Sequence, residues 1–183
     1  MIRTIDFLAA LLGLIVLFPF ILLIAGILFV EHQRPLFIQT RIGKNQKPFQ
    51  LVKFRSMSPK AANLPTHEIS GDVITKTGKF IRATKLDELP QLWNVLIGEM
   101  SLVGPRPCLP IQEELIAERE QRMVFSLRPG ITGPAQVQNI DMSTPKLLAE
   151  TDQEMVGKLS LSSYIKYVLM TVTGSGQGDK IKN

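Results

Sequence analysis

Phe7-Leu-Ala-Ala-Leu-Leu-Gly-Leu-Ile-Val-Leu-Phe-Pro-Phe-Ile-Leu-Leu-Ile-Ala-Gly-Ile-Leu-Phe-Val30 is an apolar run without a charged residue. Roughly 24 residues at 1.5 Å each give about 36 Å of helix, enough to traverse a bilayer core. A cleavable leader does not suit it, because the run is too long and no small-x-small signature precedes Glu31. Pro19 lies near the middle, where it removes a backbone donor and crowds the preceding turn. Two geometries follow. One is a spanning helix with a tolerated proline kink. The other is a re-entrant helix-break-helix over residues 1–31, whose arms of about 12 residues each reach only mid-bilayer. Arg3 precedes the run, and Arg34, Arg41, Lys44 and Lys47 follow it, so a re-entrant path keeps both cationic flanks cytoplasmic.

The rest of the 183 residues has room for one domain. With 45% hydrophobic and 20% charged residues it reads as globular, not disordered. A single cysteine, Cys108, excludes a disulfide-stapled fold and a cysteine-rich zinc site. The net charge of +5 favours anionic partners, either phosphorylated metabolites or acidic headgroups. Nucleic acid would account for the charge but not for the anchor, and 7% aromatic residues offer few stacking platforms. Neither GxGxxG nor GxxxxGK[ST] occurs. His32 and His67 are the only histidines, one beside the apolar run and one in a polar stretch, so Ser/His/Asp catalysis has little support.

The expected fold is α+β and mainly helical. Residues 36–39 and 49–54 are β-prone and flank a polar turn, which predicts a small β-hairpin. Ser58–Asp72 reads as a loop. Helical patterning covers Thr75–Ala83 and Glu88–Ile97, with Leu89, Leu92, Trp93 and Leu96 on one face and Gly98 as the stop. Ser101–Cys108 reads as a constrained extended turn. Gln112–Val124 patterns as an amphipathic helix, and Arg128–Pro134 as a turn-rich loop. Leu159, Leu161, Ile165, Val168, Leu169 and Val172 form an apolar face that suits an interfacial amphipathic helix or a core-packing one equally well. The divisions are thus an anchor at 1–31, a catalytic-type domain at 32–173 and a basic tail at 174–183.

Candidate chemistry centres on Lys85-Leu-Asp87-Glu88-Leu-Pro90. Pro90 belongs in a first helical turn, which makes Asp87 a candidate N-cap and Glu88 a first-turn acid. Carboxylates there are favoured by the helix dipole, and two adjacent ones can share Mg²⁺. A capped, acid-rich first turn is the plain alternative. Several cations accompany the pair: Lys53 and Arg55 at the end of the hairpin, Arg82, and Arg106 between Pro105 and Pro107. A guanidinium displayed on a proline-stiffened backbone suits a bidentate phosphate contact. Anchor, paired acids and rigid arginines together point to phosphate chemistry at a membrane surface.

Five stretches resemble the monotopic phosphoglycosyl transferases, also called bacterial sugar transferases. They are Gln39–Gly43, Lys53–Met57, Leu86-Asp-Glu-Leu-Pro-Gln-Leu-Trp-Asn-Val95, Gly98-Glu-Met-Ser-Leu-Val-Gly-Pro-Arg-Pro107 and Arg128–Gly133. They occur in the family's order behind an apolar segment, in what reads as the small, catalytic-core form. The resemblance implies transfer of a sugar-1-phosphate from a UDP-sugar to polyprenyl (undecaprenyl) phosphate, with release of UMP, as the first membrane step of glycoconjugate assembly. It implies Asp87 as nucleophile in a ping-pong reaction, with Glu88 as its partner in holding Mg²⁺. Lys53, Arg55, Arg82 and Arg106 would contact phosphate, and Arg128, Gln136 and Asp152 would contact substrate or nucleotide. It also implies the re-entrant form of the anchor, broken at Pro19, on the cytoplasmic face of a bacterial inner membrane. Downstream glycosyltransferases are possible partners, and an N-acetylated deoxy-sugar is the expected donor.

The chain departs from the family pattern after Gly133. Gly133-Pro-Ala-Gln-Val-Gln-Asn139 replaces Gly-Trp-Ala-Gln-Val-Asn-Gly, and Glu150-Thr-Asp152 lacks the tyrosines that usually follow. Two other functions fit the residues. One is an anchored, Mg²⁺-dependent hydrolase of nucleotide-sugar diphosphates; the other is a non-catalytic scaffold for glycosyltransferases.

Overall fold

A computed structural model describes residues 1–57 and 75–174. The apolar run lies within one helix, α1 (Ile2–His32), which continues through Pro19 and ends at Gln33 in the left-handed region. The helix does not break at Phe18-Pro19, so the two-armed anchor expected from sequence is here a single helical element. Its 31 residues correspond to about 46 Å. Most of its large side chains, Leu12, Ile15, Phe18 and Leu23 among them, remain exposed.

One face of α1 nevertheless meets the domain at both ends. Ile2 and Ile5 pack with Val103, Met155 and Tyr164. Ala10 is fully buried among Leu51, Val95 and Met100. Further along, Ile21, Ile24, Ala25 and Leu28 pack against Phe54, Ile81, Leu86 and Leu89. Polar pins reinforce the first end. Arg3 donates from Nη1 and Nη2 to the carbonyls of Val95 and Leu96 at 2.5 and 2.7 Å. Asp6, fully buried, accepts from Ser101 Oγ, the Leu102 amide and Tyr164 Oη at 2.9, 2.9 and 2.7 Å.

The predicted hairpin is present and longer than its apolar cores suggest. Strands β1 (Leu36–Ile42) and β2 (Pro48–Phe54) pair antiparallel, from Leu36 opposite Phe54 to Ile42 opposite Pro48. Helix α2 (Lys76–Ala83) starts at Thr75, whose hydroxyl accepts from the Gly78 amide. Helix α3 (Gln91–Ile97) ends at Gly98, where φ is 92°. Around that left-handed turn the Arg3 guanidinium meets the Val95 carbonyl, which also accepts from the Gly98 amide, and the Leu96 carbonyl. Leu92 and Leu96 face the core, whereas Trp93, expected on the same face, is half exposed.

Arg128–Pro134 differs from its sequence reading as a turn-rich loop. Gly130–Thr132 is a strand, β4, which runs parallel to β3 (Ser101–Val103). Two glycines make the approach possible. A Cβ on Gly104 would lie 2.3 Å from the Arg128 carbonyl oxygen, and one on Gly130 would lie 2.0 Å from the Gly104 nitrogen. Helices α4 (Glu113–Gln121), α5 (Pro134–Val137) and α6 (Pro145–Gln153) build a second core around Cys108, Leu115, Ala135, Leu148 and Ala149. Helix α7 (Leu161–Val172) is two-sided. Tyr164, Tyr167 and Val168 pack inward, while Ile165, Leu169 and Val172 are exposed. The predicted Ser58–Asp72 loop, His67 and nearly all of the basic tail lie outside the described residues. Among the described residues the architecture is mainly helical with two small two-stranded sheets.

Candidate active site

Asp87 does not cap a helix. It sits inside a single 3₁₀ turn, Leu86–Glu88, that Lys85 enters in the left-handed region at φ 57°. Helix α3 begins only at Gln91, with Pro90 before it, so the first turn expected around Glu88 is displaced by about one turn. The reason is local. The Glu88 and Leu89 amides bond to the carbonyls of Lys85 and Leu86 at 3.1 and 3.2 Å, closing a tight turn before the α-helix starts. Asp87 is thereby buried, with its carboxylate turned among charged neighbours and not spent on capping.

Those neighbours come from four parts of the chain. Burial, and secondarily the Glu88 charge, push the Asp87 carboxyl up to about 6. Lys53 from β2, Arg82 from α2 and Arg106 from the segment after β3 act the other way and favour its ionised form. Arg106 Nη2 also donates to Glu88 Oε1 at 3.1 Å. Arg82 reaches Ser56 Oγ at 3.4 Å. Lys85 belongs to the same cluster, although no local pattern singles it out. Its pKa is lowered chiefly by burial and also by Arg106, while Glu88 opposes the shift. A charge cluster that penalises an extra cation and an unpaired acid alike is suited to a polyanion that brings several negative oxygens.

The other sequence candidates are placed elsewhere. Arg55 turns away: it donates to the carbonyls of Arg34 and Leu36 at 3.1 and 3.4 Å and lies over the Phe37 ring at 5.4 Å. It is not among the charges acting on Asp87. Lys53 lies over the same ring, at 5.5 Å, and does act on Asp87. Arg128 Nε donates to the Gly98 carbonyl at 2.9 Å, another helix-end contact. Gln136 donates to the Gly104 carbonyl at 3.1 Å. Asp152 is fully buried, with its Oδ2 receiving two bonds from Arg119 at 3.0 and 2.6 Å.

Two acids side by side amid four cations, in a domain carrying a long apolar helix, suit a membrane-associated protein that handles phosphate. The family follows from comparison with known sequences: the chain belongs to the bacterial sugar transferases, whose family model matches residues 1–177. The exopolysaccharide production protein PSS of Rhizobium leguminosarum is 38% identical, over 91% of this chain and 84% of its own length. A UDP-glucose:undecaprenyl-phosphate glucose-1-phosphate transferase of Caulobacter vibrioides is 37% identical, over 93% of this chain and 67% of its own. A UDP-N-acetylgalactosamine-undecaprenyl-phosphate N-acetylgalactosaminephosphotransferase of Aeromonas hydrophila is 34% identical over 93% of this chain, which covers 42% of that protein.

Proposed function

We infer that this chain is an enzyme that transfers a sugar-1-phosphate from a UDP-sugar to undecaprenyl phosphate, releasing UMP and leaving an undecaprenyl-diphosphate sugar. The observation that carries the reading is the buried Asp87 beside Glu88, with Lys53, Arg82 and Arg106 acting on it, in a chain similar along its length to transferases of that name. In the reaction proposed, an Asp87 carboxylate oxygen attacks the β-phosphorus of the donor. The phosphoanhydride bond breaks, and UMP departs with the bridging oxygen. An oxygen of the lipid phosphate then attacks the same phosphorus and returns the Asp87 carboxylate. Lys53, Arg82 and Arg106 hold phosphate oxygens through both steps, where charge shifts between entering and leaving groups.

Mg²⁺ suits this donor set. Among the described residues no group of three acidic or sulfur and imidazole ligands exists. Mg²⁺ asks for less, since one or two carboxylates plus substrate phosphates complete its shell. Asp87 and Glu88 would hold it, and it would neutralise charge on the diphosphate.

The anchor is proposed to enter and leave one leaflet at the cytoplasmic face of the inner membrane. Support comes from α1 meeting the same domain at Arg3 and Asp6 and again at Leu28. A spanning helix would separate those ends by a hydrocarbon core of about 30 Å. The exposed face of α7 would lie against the same surface. UDP-glucose and UDP-N-acetylgalactosamine join the N-acetylated deoxy-sugars as donors to try. The test uses donor labelled in the sugar, with undecaprenyl phosphate in detergent. Label moving to the lipid phase supports transfer. Label released as free sugar phosphate, with lipid present, would mean hydrolysis instead.

A further inference from the structure

The segment that displays Arg106 is held through every one of its carbonyls from Gly104 to Cys108. Gly104 O accepts from Gln136 Nε2 at 3.1 Å, and Pro105 O from the Gly130 amide at 2.9 Å. Arg106 O accepts from Arg119 Nη1 at 2.8 Å, Pro107 O from Arg41 Nη1 at 3.0 Å, and Cys108 O from the Ile42 amide at 2.9 Å. Five consecutive carbonyls are thus bonded, two of them by guanidinium groups. At Arg106 itself the donor is Arg119, a fully buried residue of α4, oriented by two bonds to Asp152 of α6.

A buried ion pair is a poor device for joining two helices. Removing both charges from water costs about as much as their attraction returns, and an apolar pair of equal volume holds as well or better. An apolar pair, however, cannot donate to the Arg106 carbonyl. Arg119 has the geometry for both tasks, because its planar fork presents Nε and Nη2 to one carboxylate oxygen while Nη1 points elsewhere. Asp152 Oδ1 is buried without a hydrogen-bond partner, so the carboxylate serves Arg119 through one oxygen only.

We propose that Arg119, oriented by Asp152, is a positioning residue that fixes the backbone of Arg106 so that its guanidinium meets Glu88 and the phosphate held at Asp87. Asp152 acts from the interior, two residues removed from substrate, and not as a substrate contact. This rests on the functional reading above for its kinetic consequences but not for its structural ones.

The experiment compares wild type with the double variant Arg119→Met/Asp152→Leu, each with and without Arg106→Ala. Thermal unfolding in detergent should show the double variant folded. Its kcat should fall about 10- to 100-fold, the range seen when supporting partners of a site are removed, with KM changed much less. In the Arg106→Ala background the same pair of substitutions should cost nothing more, because the residue it positions is gone. Hydrogen exchange should quicken in the 104–108 segment. A wild-type kcat, or a loss that multiplies with that of Arg106→Ala, overturns the proposal. If the double variant does not fold, Arg119→Lys replaces it. Its ammonium lacks the rigid fork and the extra reach with which Arg119 meets Asp152 and the Arg106 carbonyl from separate nitrogens, so a weaker form of the same kinetic and exchange results is expected. If wild type turns over no UDP-sugar, the functional reading falls, and exchange alone decides: unchanged protection of 104–108 sinks the clamp, and lost protection upholds it.

Discussion

At the scale of single residues, Asp87 is held in a state that suits reaction better than stability. Burial, with the Glu88 charge beside it, pushes its carboxyl up to about 6 in the folded chain, against about 3.9 unfolded, so the native state binds this proton more tightly. The sign follows directly. As pH rises from about 4 to about 6, this group lowers stability, by on the order of 3 kcal/mol once the folded carboxyl has ionised. Asp87→Asn should therefore raise the unfolding temperature at pH 8 while abolishing transfer, which thermal unfolding and product assays read separately. Activity of the wild type should climb with pH through about 6, since the attacking form in the proposed reaction is the carboxylate. Arg106→Ala should cut kcat by about 10²-fold or more and move that acidic limb to higher pH, because Arg106 favours the Asp87 anion. The acid pair and Arg106 were legible in sequence, as Asp-Glu-Leu-Pro and Gly-Pro-Arg-Pro. Arg119 and Lys85 were not. An arginine in a charged helix reads as solvated, and only the long-range packing of α4 on α6 buries it.

At the scale of elements, the hairpin and the stop at Gly98 followed from local chemistry, alternating apolar residues around a polar turn and a glycine free to adopt positive φ. The parallel pair β3–β4 did not, because its strands lie 26 residues or more apart and each is only three residues long. Pro-Gly and Gly-Pro dipeptides signal a turn to any local reading, whereas here the glycines serve backbone contact across the pair. Gly104→Ala should accordingly be costly: the added methyl meets main-chain atoms that cannot swing aside. A loss of about 2 kcal/mol or more is expected in denaturant unfolding, with transfer reduced through the Arg106 segment. Asp6 is a comparable case in α1. It immediately precedes the apolar run, where no local pattern marks it, yet it ties together β3 and α7. Asp6→Ala leaves the Tyr164 hydroxyl and the Leu102 amide without that acceptor and should cost about 2–3 kcal/mol by the same measurement.

At the scale of the whole molecule, one question is how a helix of about 46 Å can belong to a domain that touches both its ends. Sequence offered two geometries for the apolar run, and periodicity could not choose between them. The contacts at Arg3, Asp6 and Leu28 favour ends on one side of the bilayer. Thr4→Cys and Arg34→Cys should both react with a membrane-impermeant maleimide in inverted vesicles and neither in intact cells. Labelling of either one from outside would mean that α1 crosses. Such an arrangement would let a soluble UDP-sugar and a lipid-borne phosphate reach one carboxylate from opposite directions. Whether that carboxylate does the chemistry is decided by the nucleotide product. Detergent-purified protein would be given Mg²⁺, undecaprenyl phosphate and a panel of UDP-sugars, with Asp87→Asn in parallel. Release of UMP that requires the lipid phosphate and disappears in Asp87→Asn is the predicted result. Release of UDP, or UMP formation that persists in Asp87→Asn, would contradict it.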